Sequence, residues 1–150
     1  MPPTGPRGQY RALPVVERVN HVDGIAPYNG VVAVTRNSRV VPEDSAAYRD
    51  DASYAAVQRE CERVAELLHA TAPIRIDVRR AEHDPSSPFM LFDNMTGPGR
   101  PGREDQASLT ALAAEGLGWD YGTLLSHVLA SSRTLRELRN VSVRETGGRF

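Results

Sequence analysis

Asp77 and Asp93 are the residues of this chain best placed to do chemistry together. The first lies in Ile74-Arg75-Ile76-Asp77-Val78-Arg79 and the second ends Phe89-Met90-Leu91-Phe92-Asp93-Asn94. Both stretches are rich in apolar and β-branched residues and read as strands, and Asp84-Pro85-Ser86-Ser87-Pro88 between them is a turn signal. A hairpin centred near Pro85 sets residue 77 opposite residue 93, since each lies eight positions from the centre. Directly opposed residues of an antiparallel pair have Cβ atoms about 4.5–5.5 Å apart. Two carboxylates at that spacing repel by about 3 kcal/mol at an effective dielectric near 20. A divalent cation or the flanking arginines must offset this, and the first option is metal chemistry.

Each candidate also has a plainer reading. Arg75, Asp77 and Arg79 share one face of a strand, with Ile74, Ile76 and Val78 on the other, so the charges can neutralise each other without a metal. Asp93 can simply end its strand and cap the next turn, and Asn94 suits a turn because it tolerates a left-handed backbone. The glycines and arginines of Gly97-Pro98-Gly99-Arg100-Pro101-Gly102-Arg103 suit either an anion-binding nest or an ordinary surface connection. Ser108 reads on its own as a first-turn polar residue. His21, His69, His83 and His127 show no ligand spacing, and Cys61 falls on an apolar helix face.

Composition removes several classes of function. The 150 residues carry a net charge of −1, so no bulk attraction to nucleic acid or to a membrane is expected. No stretch approaches the roughly 18 apolar residues of a membrane span, and the first residues lack the apolar core of a signal peptide. One cysteine excludes an internal disulfide and a cysteine zinc cluster. All 18 basic residues are arginine, which excludes lysine Schiff-base chemistry and a lysine phosphate clamp within this chain. The expected location is the cytoplasm.

Residues 1–9 read as a disordered leader, 10–141 as one domain and 142–150 as a frayed tail. Tyr10 to Val19 contains Pro14 and reads as an edge strand. Gly30 to Thr35 reads as a second strand, Asn37-Ser38 as a turn, and Arg39-Val40-Val41 as a segment that pairs back. Residues 42–51 are acidic and polar. A helix is expected over 52–69, capped by Asp50 or Asp51, with Tyr54, Val57, Cys61, Val64 and Leu68 on one face. Further helices are expected over 105–116 and from Asp120 through 130, with extension through 141. The expected fold is α+β, a mostly antiparallel sheet with helices packed largely on one side.

The order of motifs from Pro73 to Leu129 resembles the carboxy-terminal domain of the ATP-grasp ligases, in particular the D-alanine–D-alanine ligase-like branch. The matching positions are Arg75-x-Asp77, the hairpin, Asp93 with Asn94, the Gly97–Gly102 loop, Ser108-Leu109, and Gly118-x-x-Tyr121-x-x-Leu124. The resemblance implies that Asp77, Asp93 and Asn94 bind Mg²⁺ bridging the phosphates of ATP, and that Arg75 supports the transferred phosphate. It further implies that Gly97 and Gly99 face the oxyanion of an acyl phosphate, while Ser108 and Leu109 hold the carboxylate of an incoming amino acid.

Three departures qualify what the resemblance implies. The family has one residue between its second acid and the asparagine, whereas Asp93 and Asn94 are adjacent and strand neighbours point to opposite faces. The chain is about half as long as a complete ligase of this type, without the amino-terminal and central domains. It also lacks the lysines that the central domain directs at the nucleotide. The expectation is therefore a truncated or split carboxylate–amine ligase domain, inactive alone, that works with a partner chain carrying the missing domains. The alternative is a non-catalytic remnant serving as an interaction or ligand-binding module; separately, an exposed face where the central domain should dock would favour a homodimer.

Overall fold

A computed structural model of the chain describes residues 10–19, 34–81, 83–96 and 108–134, with 34–35 and 93–96 described as backbone alone. The architecture is α+β. Its elements are β1 (Val15–Arg18), β2 (Ser38–Val41), α1 (Ala46–Asp50), α2 (Ala52–Leu67), β3 (Ile74–Arg79), β4 (Met90–Thr96), α3 (Leu109–Glu115) and α4 (Tyr121–Ser131). Among the described residues the strands form two separate antiparallel pairs, β1 with β2 and β3 with β4.

The first pair runs in unbroken register from Val15 opposite Val41 to Arg18 opposite Ser38. Pro14, just before β1, costs no ladder hydrogen bond there, as an edge strand allows. The expected strand over Gly30 to Thr35 is corrected where it is described: Val34–Asn37 forms a turn of 3-10 helix that feeds β2. β-branched composition is a weak preference that tertiary context overrides. Here the end of the turn is fixed by Val19, whose N–H donates to the Asn37 carbonyl at 2.8 Å.

α1, in the segment noted as acidic and polar, starts at an N-cap, Ser45, whose Oγ accepts from the Tyr48 N–H at 3.2 Å. α2 starts at Asp51, whose carboxylate accepts from the Ser53 N–H at 3.0 Å. Ser and Asp caps satisfy helix-end N–H groups that would otherwise lack partners. Of the expected apolar face, Tyr54 and Val57 are buried, Cys61 and Val64 are half-buried, and Leu68 is exposed at the helix end. Burial pushes the Cys61 thiol up to about 11.

α2 and α3 close in the same way. After α2, the His69 N–H donates to Glu66 O at 2.9 Å and the Ala70 N–H to Ala65 O at 2.9 Å. After α3, the Gly118 N–H donates to Glu115 O at 2.8 Å and the Trp119 N–H to Ala114 O at 3.1 Å. This reversal needs a left-handed residue. Gly118 supplies it at φ 73° and His69 at φ 47°. α4 then starts at Asp120, which accepts from the Thr123 N–H at 2.7 Å. The helix stops at Ser131, so the expected extension fails over Ser132–Thr134, and residues 135–141 lie outside the described residues.

The core is built largely from small side chains. Ala111 and Ala114 of α3 and Leu124 of α4 form its centre, with Leu13, Trp119, Tyr121 and Val128 packed around them. α3 also rests on β1 and β2, and its Gly116 end lies against Val40 and Pro14. Several large apolar side chains remain outside, among them Met90, Phe92, Leu67 and Leu129. No helix among the described residues is long and apolar enough to cross a membrane.

Candidate functional site

The β3–β4 hairpin carries the site. Ile74 pairs with Thr96, Arg75 with Met95, Ile76 with Asn94 and Asp77 with Asp93. Beyond Asp77 the register shifts, so that Val78 pairs with Leu91 and Arg79 with Met90. Phe92 is therefore a surplus residue on β4, a β-bulge directly beside the aspartate pair. Bulges bend a strand and increase its local twist.

The turn is made as its composition suggests. The Asp84 carboxylate accepts from the Ser86 N–H at 2.9 Å and from the Ser86 hydroxyl at 2.5 Å, an Asx-turn arrangement. These bonds from Ser86 hold the Asp84 carboxyl below its ordinary range.

Asp77 is not an unpartnered acid. Arg75 Nε donates to its Oδ1 at 2.9 Å, and Arg75 Nη2 reaches Oδ2 at 3.4 Å. The pair is partly exposed, so its contribution to stability is small. Among the described residues no three His, Cys, Asp or Glu side chains gather as a metal ion would require.

Of the remaining predicted site residues, Ser108 is the N-cap of α3, its Oγ accepting from the Ala111 N–H at 3.4 Å, and Leu109 is the first residue of that helix. Asn94 stands opposite Ile76, one step along β4 from the aspartate pair. Gly97 and Gly99 lie outside the described residues. The hairpin thus brings Asp77 and Asp93 into opposition, while Ser108 and Leu109 start a helix that packs on α4 and the first strand pair.

A polar network that the sequence reading did not find joins α2 to the first strand pair. The Tyr54 hydroxyl donates to Glu17, and Arg39 donates to the same carboxylate through Nε at 2.9 Å. Burial, and then the Glu17 carboxylate, push the Tyr54 phenol up to about 12. Tyr48 donates to Gln58 Oε1 at 2.6 Å, and Gln58 Nε2 donates to Leu13 O at 3.1 Å and Glu43 Oε1 at 3.2 Å. Of this cluster the sequence pointed only to Tyr54, through the apolar face of α2, since the partners come from other elements.

A shallow groove also runs along α4, lined by Asp120, Gly122, Thr123, Ser126, His127 and Ala130. His127 stacks on Trp119 beside it, with ring centroids 4.0 Å apart. The Asp120 carboxylate is already engaged by Thr123 at the helix start, and this lowers its pKa. No family model, no curated protein and no solved structure matches this chain.

Proposed function

We propose that this chain is a truncated or split carboxy-terminal unit of an ATP-dependent carboxylate–amine ligase, similar to the D-alanine–D-alanine ligase-like branch of the ATP-grasp proteins, and that it does not turn over alone. The observation that carries the reading is the opposition of Asp77 and Asp93 across β3 and β4. The helix starts at Ser108 and Asp120 agree with the motif order as well.

The reaction class is transfer of a phosphoryl group from ATP to a substrate carboxylate, followed by attack of an amine on the acyl phosphate with loss of phosphate. Arg75 serves the transferred phosphate, Asp77, Asp93 and Asn94 the cation side, Gly97 and Gly99 the acyl oxyanion, and Ser108 with Leu109 the amino-acid carboxylate. Catalysis of this kind rests on positioning and charge neutralisation. A chain without lysine holds Mg²⁺-ATP weakly through its own Arg75, Asp77, Asp93 and Asn94, and a partner chain supplies the rest of the nucleotide grip that turnover needs. The reading places the protein in the cytoplasm, where ATP is available.

The test is calorimetric titration of Mg²⁺-ATP into the purified chain, with Asp77→Asn beside it, and a phosphate-release assay with D-alanine. The expected result is binding that Asp77→Asn weakens at least tenfold, with no phosphate release. Turnover by the isolated chain overturns the split-enzyme reading, and absence of Mg²⁺-ATP binding overturns the ligand role.

A second reading is favoured by one specific observation. Met90 and Phe92 of β4 are 61% and 69% exposed. Apolar side chains so placed suit a non-catalytic interaction module, including one that forms a homodimer. Light scattering on the purified chain and on a Met90→Glu, Phe92→Glu variant decides it: a dimer that the variant dissociates supports the module, and a monomer in both removes the homodimer.

A further inference from the structure

Arg80 follows β3 immediately and touches three parts of the molecule. Its Nη2 donates to Asp51 Oδ2 at 2.7 Å and to the Ser53 hydroxyl, both at the start of α2. Its Nη1 donates to the carbonyl of Pro85 in the hairpin turn. Its guanidinium carbon lies 4.2 Å from the centroid of the Phe89 ring, just before β4, and 5.9 Å from that of Tyr54 in α2. Phe89 itself packs on Tyr54 with ring centroids 5.5 Å apart. The Arg80 side chain is 18% exposed, so these contacts are shielded from water more than an ordinary surface pair.

The chemistry suits arginine alone. A planar guanidinium can stack on an aromatic face while its edge donates to a carboxylate and a carbonyl, which an ammonium cannot do. The residue therefore gathers the end of β3, the turn and the approach to β4 and fastens them to the α2 cap.

We propose that Arg80 is the positioning residue of the β3–β4 hairpin, fixing the strands that carry Asp77 and Asp93 against the N-terminal end of α2. As a role in a site, this rests on the ligase reading; as a clamp on the hairpin it does not. Asp51 is its counterpart, acting as helix cap and as anchor for the guanidinium at once.

Hydrogen exchange of backbone amides tests the clamp on the full chain. Arg80→Met is expected to raise exchange across 74–79 and 90–96 at least tenfold while α3 and α4 stay as in the parent. Asp51→Asn keeps a good cap residue but loses the charge, and is expected to loosen the same strands without unfolding α2. Arg80→Lys is expected to rescue less than half of the lost protection, because it restores charge without the planar fork.

Unchanged protection of the hairpin in both Arg80→Met and Asp51→Asn overturns the proposal, as does an equal rise over every helix and strand. Mg²⁺-ATP titration of Arg80→Met runs in parallel, with a tenfold weakening expected. If the parent chain binds no nucleotide, the ligase reading fails while the exchange data still decide the clamp.

Discussion

The hydroxyl of Tyr54 donates to the carboxylate of Glu17, a bond between residues 37 positions apart that ties α2 to β1. Tyr54 also stacks on Tyr48 at 6.2 Å and meets Phe89 at a tilt, with centroids 5.5 Å apart, so its ring and its hydroxyl have separable roles. Hydrogen bonds to charged groups contribute about 1.5–3 kcal/mol. Glu17 retains Arg39 and some water when the phenol is removed, which lowers the expected loss. Tyr54→Phe is expected to reduce stability by about 1–2 kcal/mol in urea titration, and Tyr54→Ala by clearly more, because the ring contacts go too.

Gly116 is required by space and not by backbone conformation. Its φ of −62° suits any residue. A Cβ there would lie 2.6 Å from Val40 Cγ1 and 3.3 Å from Pro14 Cγ. Overpacking costs about 1–3 kcal/mol, partly offset by the lower chain entropy of alanine, about 0.4–1 kcal/mol. Gly116→Ala is expected to lower the unfolding midpoint, and Val40→Ala in the same chain to return part of that loss in a double-mutant cycle.

His69 holds the left-handed position after α2 that Gly118 holds after α3. A side chain in that region costs roughly 1–2 kcal/mol, offset in part by the entropy glycine loses on folding. His69→Gly is expected to leave stability unchanged or raise it by up to about 1 kcal/mol. His69→Val, with a branched Cβ, is expected to destabilise by about 1–2 kcal/mol. Thermal melts of the two variants check both signs.

Acid should weaken the fold through its capping aspartates. Ser53 and then Arg80 lower the pKa of Asp51, and Ser86 and Thr123 do the same for Asp84 and Asp120. A carboxyl whose folded value is depressed stabilises fully above its unfolded value, near 3.9. That stability is lost as pH falls through the folded value. Urea midpoints are expected to hold steady from pH 7 to about 5 and to fall below about 4. Asp51→Asn and Asp120→Asn, which keep a capping side chain without the titration, are expected to flatten that fall.

What the sequence disclosed and what it hid follow from how far each signal reaches. The opposition of Asp77 and Asp93 matches the expectation from a turn centred near Pro85, but the pairs beside the turn are centred half a residue earlier, and it is the surplus Phe92 that brings Asp93 opposite Asp77. The bulge at Phe92 was not legible, since one surplus residue leaves no mark in a short apolar run. Asp51 and Asp120 were legible as helix starts because a cap acts within three residues of its own position, whereas Ser108, read as a first-turn residue of a helix expected from 105, is itself the cap.

α1 escaped because five residues cannot display a helical period. Val34 and Thr35 misled because their composition favours strands, while the chain there needed a turn before β2. Arg80 and Glu17 carry no local signature, because their partners come from segments remote in sequence. Leu68 matched the apolar stripe of α2 but sits where the helix ends, and it faces solvent.

The surplus residue in β4 has a bearing on the history of such a chain. Removing Phe92 would leave the pairs from Ile74–Thr96 to Asp77–Asp93 untouched and merge them with the remaining pairs into one even ladder. A deletion within β1 has no such reserve: the register there is continuous, and the loss of one residue would turn the remainder of the strand over onto the wrong side. The second hairpin is thus where this protein can shed a codon and keep its shape, and the first strand pair is where it cannot.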